Sequence, residues 1–374
     1  MKKNPICVEK MRNRLILLEG LPGTGKSTNS FKLYEQLIRN GKKVHWIHEV
    51  SQPHPVLFFT ESCMTKEEFQ DFKKKYPEVA ELLDDVAEVR ETTVGIDQET
   101  VSRRCHEAQK QAWYQELLKY DAFPTSLDRY EYQALEKWKA FAESALKDED
   151  TIFILDSSLL QYQIFTYLLK ATSYERLEAF VRKIAERIEP LNPLLIYLHR
   201  ENTEDSIAYL KQQRGEQDLV STWERDKGQL YYQNKQNDVT AFYDFLKDYA
   251  TSAEGLFDAL KFDKRKIEIS ENNWKAYEDE MLGLLEINRV EIPAYKAKEG
   301  TFVNAEHGLS FAIKDNVMKD PEGVQRHLYP KSQDEFFVEG IPTILQFVGE
   351  DSVRLLGQQI IPQWTETGTV YTKI

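Results

Sequence analysis

The sequence predicts an α/β protein: a five-stranded parallel sheet around a phosphate-binding loop, with a helical insertion, followed by a small antiparallel β domain. Three observations carry this expectation. Strand-length runs at 15–18, 44–48, 151–155, 194–198 and 266–269 alternate with helical periodicity, the pattern of a mainly parallel sheet. The run Gly20-Leu21-Pro22-Gly23-Thr24-Gly25-Lys26-Ser27-Thr28 fits G-x-x-x-x-G-K-[ST] at the junction of the first strand and first helix. Beyond about residue 288 the texture changes to short β-like segments divided by turns.

Leu15-Ile16-Leu17-Leu18 is the first strand, apolar throughout as a buried strand requires. In the loop that follows, glycines permit backbone angles that turn successive N–H groups inward, and the next helix adds the positive end of its dipole. The loop, with Gly20, Pro22, Gly23, Thr24 and Gly25, is therefore expected to hold a β-phosphate. Lys26 is expected on the β/γ-phosphates and the Ser27 hydroxyl on Mg²⁺, with Thr28 as a reserve hydroxyl. Phe31, Tyr34, Leu37 and Ile38 give the helix its apolar face, and Gly41 stops it.

Val44–His48 reads as the second strand, with Glu49 at its carboxyl end, the edge where open α/β sheets bind ligands. Ser51-Gln52-Pro53-His54-Pro55 cannot continue a ladder. Residues 65 to about 147 read as several helices with no strand signal, punctuated by Pro77, Gly95 and Pro124; Leu135, Trp138, Phe141, Ala142 and Ala145 mark one buried face. Thr151–Leu155 has the form of a Walker B strand, and Asp156 after it can hold Mg²⁺ opposite Ser27 or cap the next helix. Leu194–Leu198 is a fourth strand ending in His199-Arg200. A helix from Thr203 runs through Leu210 and leads to the polar tip Gln212-Gln213-Arg214-Gly215-Glu216. Lys266–Ile269 is the fifth strand, and Trp274, Tyr277, Met281, Leu284 and Leu285 mark a closing helix. The tail carries Thr301–Val303, Leu309–Ile313, Glu335–Val338, Ile344–Val348 and Thr369–Tyr371 as strands, so the domains are expected at 1–287 and 288–374.

At 374 residues the chain has material for two or three domains. A net charge of −13 disfavours nucleic acid or anionic lipid as partner while leaving room for a small anionic substrate in a local pocket. No apolar run approaches membrane-spanning length, and Met1–Pro5 carries charge without an apolar region of signal length, so a cytoplasmic location is the expectation. Cys7, Cys63 and Cys105 lie too far apart for a disulfide framework and read as free thiols. Homo-oligomerisation stays open.

With these motifs in view, residues 14–287 resemble the P-loop kinases of the nucleoside and nucleotide kinase group, most closely the thymidylate kinase and deoxynucleoside kinase branch. The resemblance rests on LLEGLPGTGKST, Glu49, ILDSS at the third strand and the stretch Leu194–Glu216. It implies ATP (GTP not excluded) and Mg²⁺, a lid arginine at Arg214, and an acidic residue, Glu49, near the acceptor hydroxyl. Where that branch carries an acid followed by arginine, this chain has Asp156-Ser157, so Arg90, Arg103, Arg104 or Arg129 of the insertion would have to grip the acceptor. The tail, through Leu328–Pro330 and Asp334–Gly340, is similar to small β domains that follow penicillin-binding-protein-like serine hydrolases, which implies an accessory module without catalytic residues.

Glu49 is the candidate proton acceptor, against a solvated loop acid; Arg214 is the candidate for neutralising charge on a migrating phosphoryl group, against a helix-end cation. His45 and His48, three apart on a strand, face opposite ways and do not make a zinc site. Trp113, Tyr114, Tyr130 and Tyr132 are read as core rather than as a stacking platform. The leading expectation is an ATP- and Mg²⁺-dependent phosphotransferase acting on a small metabolite. Its rivals are a nucleotide-dependent switch whose β module binds a protein, and a binding protein without turnover.

Overall fold

The computed structural model describes residues 11–105, 107–123, 126–360 and 363–374. Cys7, Met1–Pro5 and Pro124 lie outside the described residues. The chain order of strands begins β1 (Leu15–Gly20) and β2 (Lys43–Ile47), passes through β3 (Glu61–Thr65), β4 (Ala87–Val89) and β5 (Thr93–Asp97), and continues with β6 (Thr151–Asp156), β7 (Pro193–His199) and β8 (Asp263–Glu268). Five of these form one sheet in the order β2-β6-β1-β7-β8, with every pairing parallel. β1 and β6 are buried along their whole length, which is why their sequences are continuous apolar runs rather than alternations.

Side chains alternate between the two faces of this sheet. Leu15, Leu17, Phe153, Leu155, Leu195 and Tyr197 join a core on one face, whereas Ile16, Leu18, Ile152, Ile154, Leu194 and Ile196 join a second core on the other. The second core is closed by Phe31, Leu33, Tyr34 and Leu37 of α1 (Lys26–Arg39) and by Tyr277, Met281 and Leu282. The fifth sheet strand begins three residues earlier than the sequence indicated. Asp263, Lys264 and Arg265 are charged, a composition that suits an edge strand and conceals it from an apolar scan.

The insertion is not all helical, contrary to the expectation for residues 65–147. It contains the antiparallel sheet β3-β5-β4, wrapped by α2 (Lys66–Lys75), α3 (Ala80–Val86), α4 (Gln98–Arg104), α5 (Ala112–Leu117) and α6 (Leu127–Lys147). These strands are hard to see in the sequence because they are short: β5 alternates only Val94 and Ile96 with Thr93, Gly95 and Asp97, and β3 carries Glu61 and Ser62 beside Met64. Gly95 is not a helix breaker. A side chain there would overlap the Glu61 carboxylate and the Arg90 guanidinium, which form a buried ion pair at 2.7 Å beside the strand. On α6, Trp138, Phe141, Ala142 and Ala145 are buried as their spacing predicted.

Helices α7 (Gln161–Leu169), α8 (Tyr174–Ile188), α9 (Thr203–Arg214), α10 (Glu216–Asp226), α11 (Thr240–Ala259) and α12 (Trp274–Leu284) complete the α/β unit. No helix among the described residues is long and apolar enough to cross a membrane. The remaining strands, β9 (Gly300–Asn304), β10 (Leu309–Lys314), β11 (Val317–Lys319), β12 (Gln325–Pro330), β13 (Glu335–Val338), β14 (Thr343–Val348), β15 (Ser352–Gly357) and β16 (Val370–Lys373), form a closed antiparallel barrel in which β16 pairs back onto β9. Its interior is filled by Phe302, Phe311, Met318, Phe336, Leu345, Val353, Leu355 and Tyr371. Closure removes the exposed edges that an open sheet of this size would present.

The barrel is docked against α1. Phe337 and Ile344 belong to the core that contains Phe31 and Tyr34, and the Tyr34 and Phe337 rings meet edge-on at 5.7 Å. Arg39 donates to the Pro330 carbonyl at 2.6 Å, and the Lys32 ammonium lies 4.0 Å from the Tyr329 ring centroid.

Candidate functional site

At the carboxyl end of β1 the chain must leave a fully buried strand, turn, and enter α1. Leu21 organises that turn: its carbonyl accepts from the Thr24 N–H at 3.2 Å, the Thr24 hydroxyl at 2.8 Å and the Lys26 ammonium at 2.9 Å. Gly23 and Gly25 adopt φ of 83° and 81°, the left-handed region that glycine enters without penalty. A Cβ at Gly23 would lie 2.6 Å from the Leu210 side chain of α9, and one at Gly20 would lie 2.5 Å from the Leu198 carbonyl. The loop thus has the geometry of a cradle formed by backbone, with α9 pressed over it. α1 starts with no side-chain cap and no acid in its first turn, so its first N–H groups are left for another acceptor.

Lys26 is 6% exposed. Burial lowers its pKa, and the charges of Glu49, Glu19 and Asp156 oppose that shift while Arg214 adds to it. One ammonium therefore feels three carboxylates and one guanidinium, which brings together residues far apart in the sequence. Arg214, at the end of α9, is more than half exposed and sits 3.8 Å from Asp218, a weak surface pair that leaves it able to turn inward. Arg200 does not share this freedom. It donates to Asn272 at 2.7 Å and to the Ser270 carbonyl at 3.3 Å, so it ties β7 to the loop after β8.

Asp156 is fully buried at the end of β6, and neither of its carboxylate oxygens has a hydrogen-bond partner. Burial raises its pKa; His48 opposes the shift, Glu49 reinforces it, and the nearby Ser27 hydroxyl and Lys26 favour the anion. Asp156 is therefore not a helix cap. The cap of α7 is Glu19, whose carboxylate accepts from the backbone N–H groups of Leu159, Leu160 and Gln161 at 2.6, 3.0 and 3.1 Å. Glu19 is itself fully buried, and burial outweighs those three bonds to push its pKa up to about 7.

Glu49 lies just beyond β2 and accepts from the Gln161 side-chain amide at 3.2 Å. His48 stands past the end of β2 rather than within it; its Nδ1 accepts from Val50 N–H at 3.2 Å and its ring packs edge-on against Trp46. Ser27 is half-buried on the first turn of α1, and Thr28 is exposed. No group of three or more His, Cys, Asp or Glu able to hold a metal occurs among the described residues. A Mg²⁺ held with phosphate oxygens and water does not need one, and a buried orphan carboxylate beside a helix-start hydroxyl fits that hard cation.

Three residues that matter here do not stand out by sequence pattern. Glu19 is the lone charge in a fully buried strand, the one signal that could have found it. Gln161 shows only through its bond to Glu49. Tyr249 of α11 donates to the Gly20 carbonyl at 3.2 Å, a contact across 229 positions that no local pattern reveals. An open groove of about 410 Å³ lies at the other end of the sheet between Arg12, Arg182, Glu186 and Asp263, remote from these groups. No protein-family model matches the chain, and no curated protein is similar enough to it to match.

Proposed function

We propose that the protein is an ATP- and Mg²⁺-dependent phosphotransferase acting on a small metabolite in the cytoplasm. The observation that carries this reading is the orphan carboxylate of Asp156, buried beside Lys26 and Ser27 at the mouth of a glycine-rich loop. A buried carboxylate whose charge burial disfavours more than the nearby Ser27 hydroxyl and Lys26 favour it is costly, and such a group is retained where a cation completes it. Ser27 and Asp156 would hold Mg²⁺, which supplies charge neutralisation on the phosphate oxygens.

The chain's own groups divide the remaining work. Loop N–H groups and Lys26 bind and orient the phosphates, with Lys26 exchanging the Leu21 carbonyl for a phosphate oxygen. Arg214 swings from Asp218 to stabilise charge on the transferred group. Glu49, oriented by Gln161, takes the proton of the acceptor hydroxyl. Leu210 of α9, already packed over Gly23, would help keep water from the phosphates.

The second reading, a nucleotide-dependent switch, draws on one observation: the barrel docks on α1, the helix that begins at Lys26. Acceptor-dependent release of ADP separates the two. Turnover that appears only with a small-molecule acceptor, and disappears in Lys26→Ala, supports the kinase. Turnover with water alone, stimulated by a protein, supports the switch.

A further inference from the structure

β2 ends the strand order of the parallel sheet, so its edge away from β6 faces out of that sheet, and the chain leaving it toward Glu49 starts from the sheet's margin. The barrel braces this exit. Residues 48–51 form a turn in which the Ser51 N–H donates to the His48 carbonyl at 2.8 Å, with Glu49 as the first residue of its tip. Directly after Glu49, Val50 packs against the core of the barrel, Ser51 forms an antiparallel bridge with Ile360, and the Gln52 N–H donates to the Gln359 carbonyl at 3.1 Å. The junction is sealed, since Ser51 is 0% and Gln52 and Ile360 are each 2% exposed.

The segment that makes these contacts is fastened into the barrel. The Gln358 N–H donates to the Pro342 carbonyl at 3.0 Å, the Ile360 N–H donates to the Thr365 hydroxyl at 3.3 Å, and the Ile360 side chain belongs to the same core as Phe347, Leu355 and Trp364. Another part of the barrel wall holds α1, the helix that starts at Lys26, through Phe337, Ile344 and the Pro330 carbonyl. A close-packed barrel transmits position rather than absorbing it. One body therefore touches both the helix of the phosphate loop and the turn of the candidate base, while Gln161 holds the Glu49 carboxylate at 3.2 Å from α7.

A group borne on a turn is aimed only as well as its supports allow, and a misplacement of about 1 Å can cost about 10²-fold in rate. Resting on the kinase reading above, we infer that the barrel is a positioning element of the transfer site: Gln359 and Ile360 hold Val50, Ser51 and Gln52, and thereby fix the Glu49 carboxylate relative to the phosphate loop. A barrel that merely covered apolar surface would stabilise the chain without acting through Glu49.

A double-mutant cycle separates these roles before the acceptor is identified. Transfer of label from γ-³²P-ATP to the small molecules of a cell extract is measured on the full-length protein, on Ile360→Ala, Val50→Ala and Glu49→Gln, and on each of the first two combined with Glu49→Gln, all with the wild-type circular dichroism spectrum. Val50 is half-buried, so its variant carries the comparison if Ile360→Ala does not fold. The expected result is a loss of roughly tenfold or more in rate at saturating ATP for Ile360→Ala and Val50→Ala, with KM for ATP unchanged. Added to Glu49→Gln, either change should cost at most about twofold more. Ile360→Val, which keeps a branched side chain in the barrel core, should recover most of the rate. An unchanged rate, a loss confined to KM for ATP, or an equal fold-loss with and without the Glu49 carboxylate overturns the positioning role and leaves the kinase standing. Absence of Lys26-dependent transfer by the wild type overturns the kinase reading and this inference with it.

Discussion

Asp156 concentrates the conflict between stability and function in one side chain. Burial disfavours the Asp156 anion more than the nearby Ser27 hydroxyl and Lys26 favour it, so Asp156→Asn is expected to raise unfolding stability in the absence of Mg²⁺ and nucleotide by about 1–3 kcal/mol, while phosphoryl transfer disappears. Urea denaturation and turnover on one preparation check this; a drop in stability would make Asp156 a structural residue. Glu49→Gln keeps the bond partner of Gln161 but removes the base. Turnover should fall roughly 10²–10⁴-fold with nucleotide affinity little changed, and wild-type transfer by the variant would reject the base role. Glu19 gives a pH signature. Its folded pKa of about 7 lies above the ordinary glutamate value of 4.5, so the unfolded chain loses the proton first and stability falls as pH rises between those values. The group's contribution over that window is about 3 kcal/mol at 1.36 kcal/mol per unit. Denaturation at pH 4.5 and pH 7.5 should therefore show a steeper loss for wild type than for Glu19→Gln, and parallel slopes would place the Glu19 pKa at its ordinary value.

Among the elements, the glycine loop and the strand before it are readable because the chemistry is local: an apolar run, glycines at fixed offsets, then an amphipathic helix. Gly20 adds a constraint the motif does not spell out. Its neighbour is the Leu198 carbonyl of β7, backbone that cannot turn aside. Gly20→Ala is expected to cost about 1–3 kcal/mol by forcing β1 and β7 apart, seen as a lower denaturation midpoint; an unchanged midpoint would show that the strands can yield. The strands of the insertion are hidden for a different reason. β5 alternates, but over only two apolar residues, Val94 and Ile96, and β3 adds Met64 to the same core while its Glu61 is spent on the Arg90 ion pair, so each signal is too short to mark a strand. β8 is legible but shortened, since Asp263, Lys264 and Arg265 read as surface.

For the molecule as a whole, the change of texture toward short β-like segments anticipates a C-terminal β unit, whose first strand starts at Gly300, yet nothing in the sequence reveals that the barrel's outer wall shares a core with α1. Phe337 and Ile344 cover Phe31 and Tyr34 on α1. A chain ending at residue 287 therefore exposes this patch, and losing the two covering side chains alone removes about 3–6 kcal/mol of burial. It is expected to aggregate or to unfold at lower denaturant than the full chain, and equal stability would show the interface to be dispensable. The candidate groups follow the same division: Lys26, Ser27, Asp156 and Glu49 can be named from the chain because each ends or begins an element of a recognisable kind, whereas the Gln161 amide on Glu49 and the Tyr249 hydroxyl on the Gly20 carbonyl appear only once the chain is folded. The most direct test of the central claim is calorimetric titration of the full-length protein with ATP in the presence of Mg²⁺, repeated on Lys26→Ala. Saturable one-site binding by wild type, weakened at least tenfold in a variant with an unchanged circular dichroism spectrum, is the outcome expected; no binding by wild type, or equal affinity in the two proteins, would contradict the account.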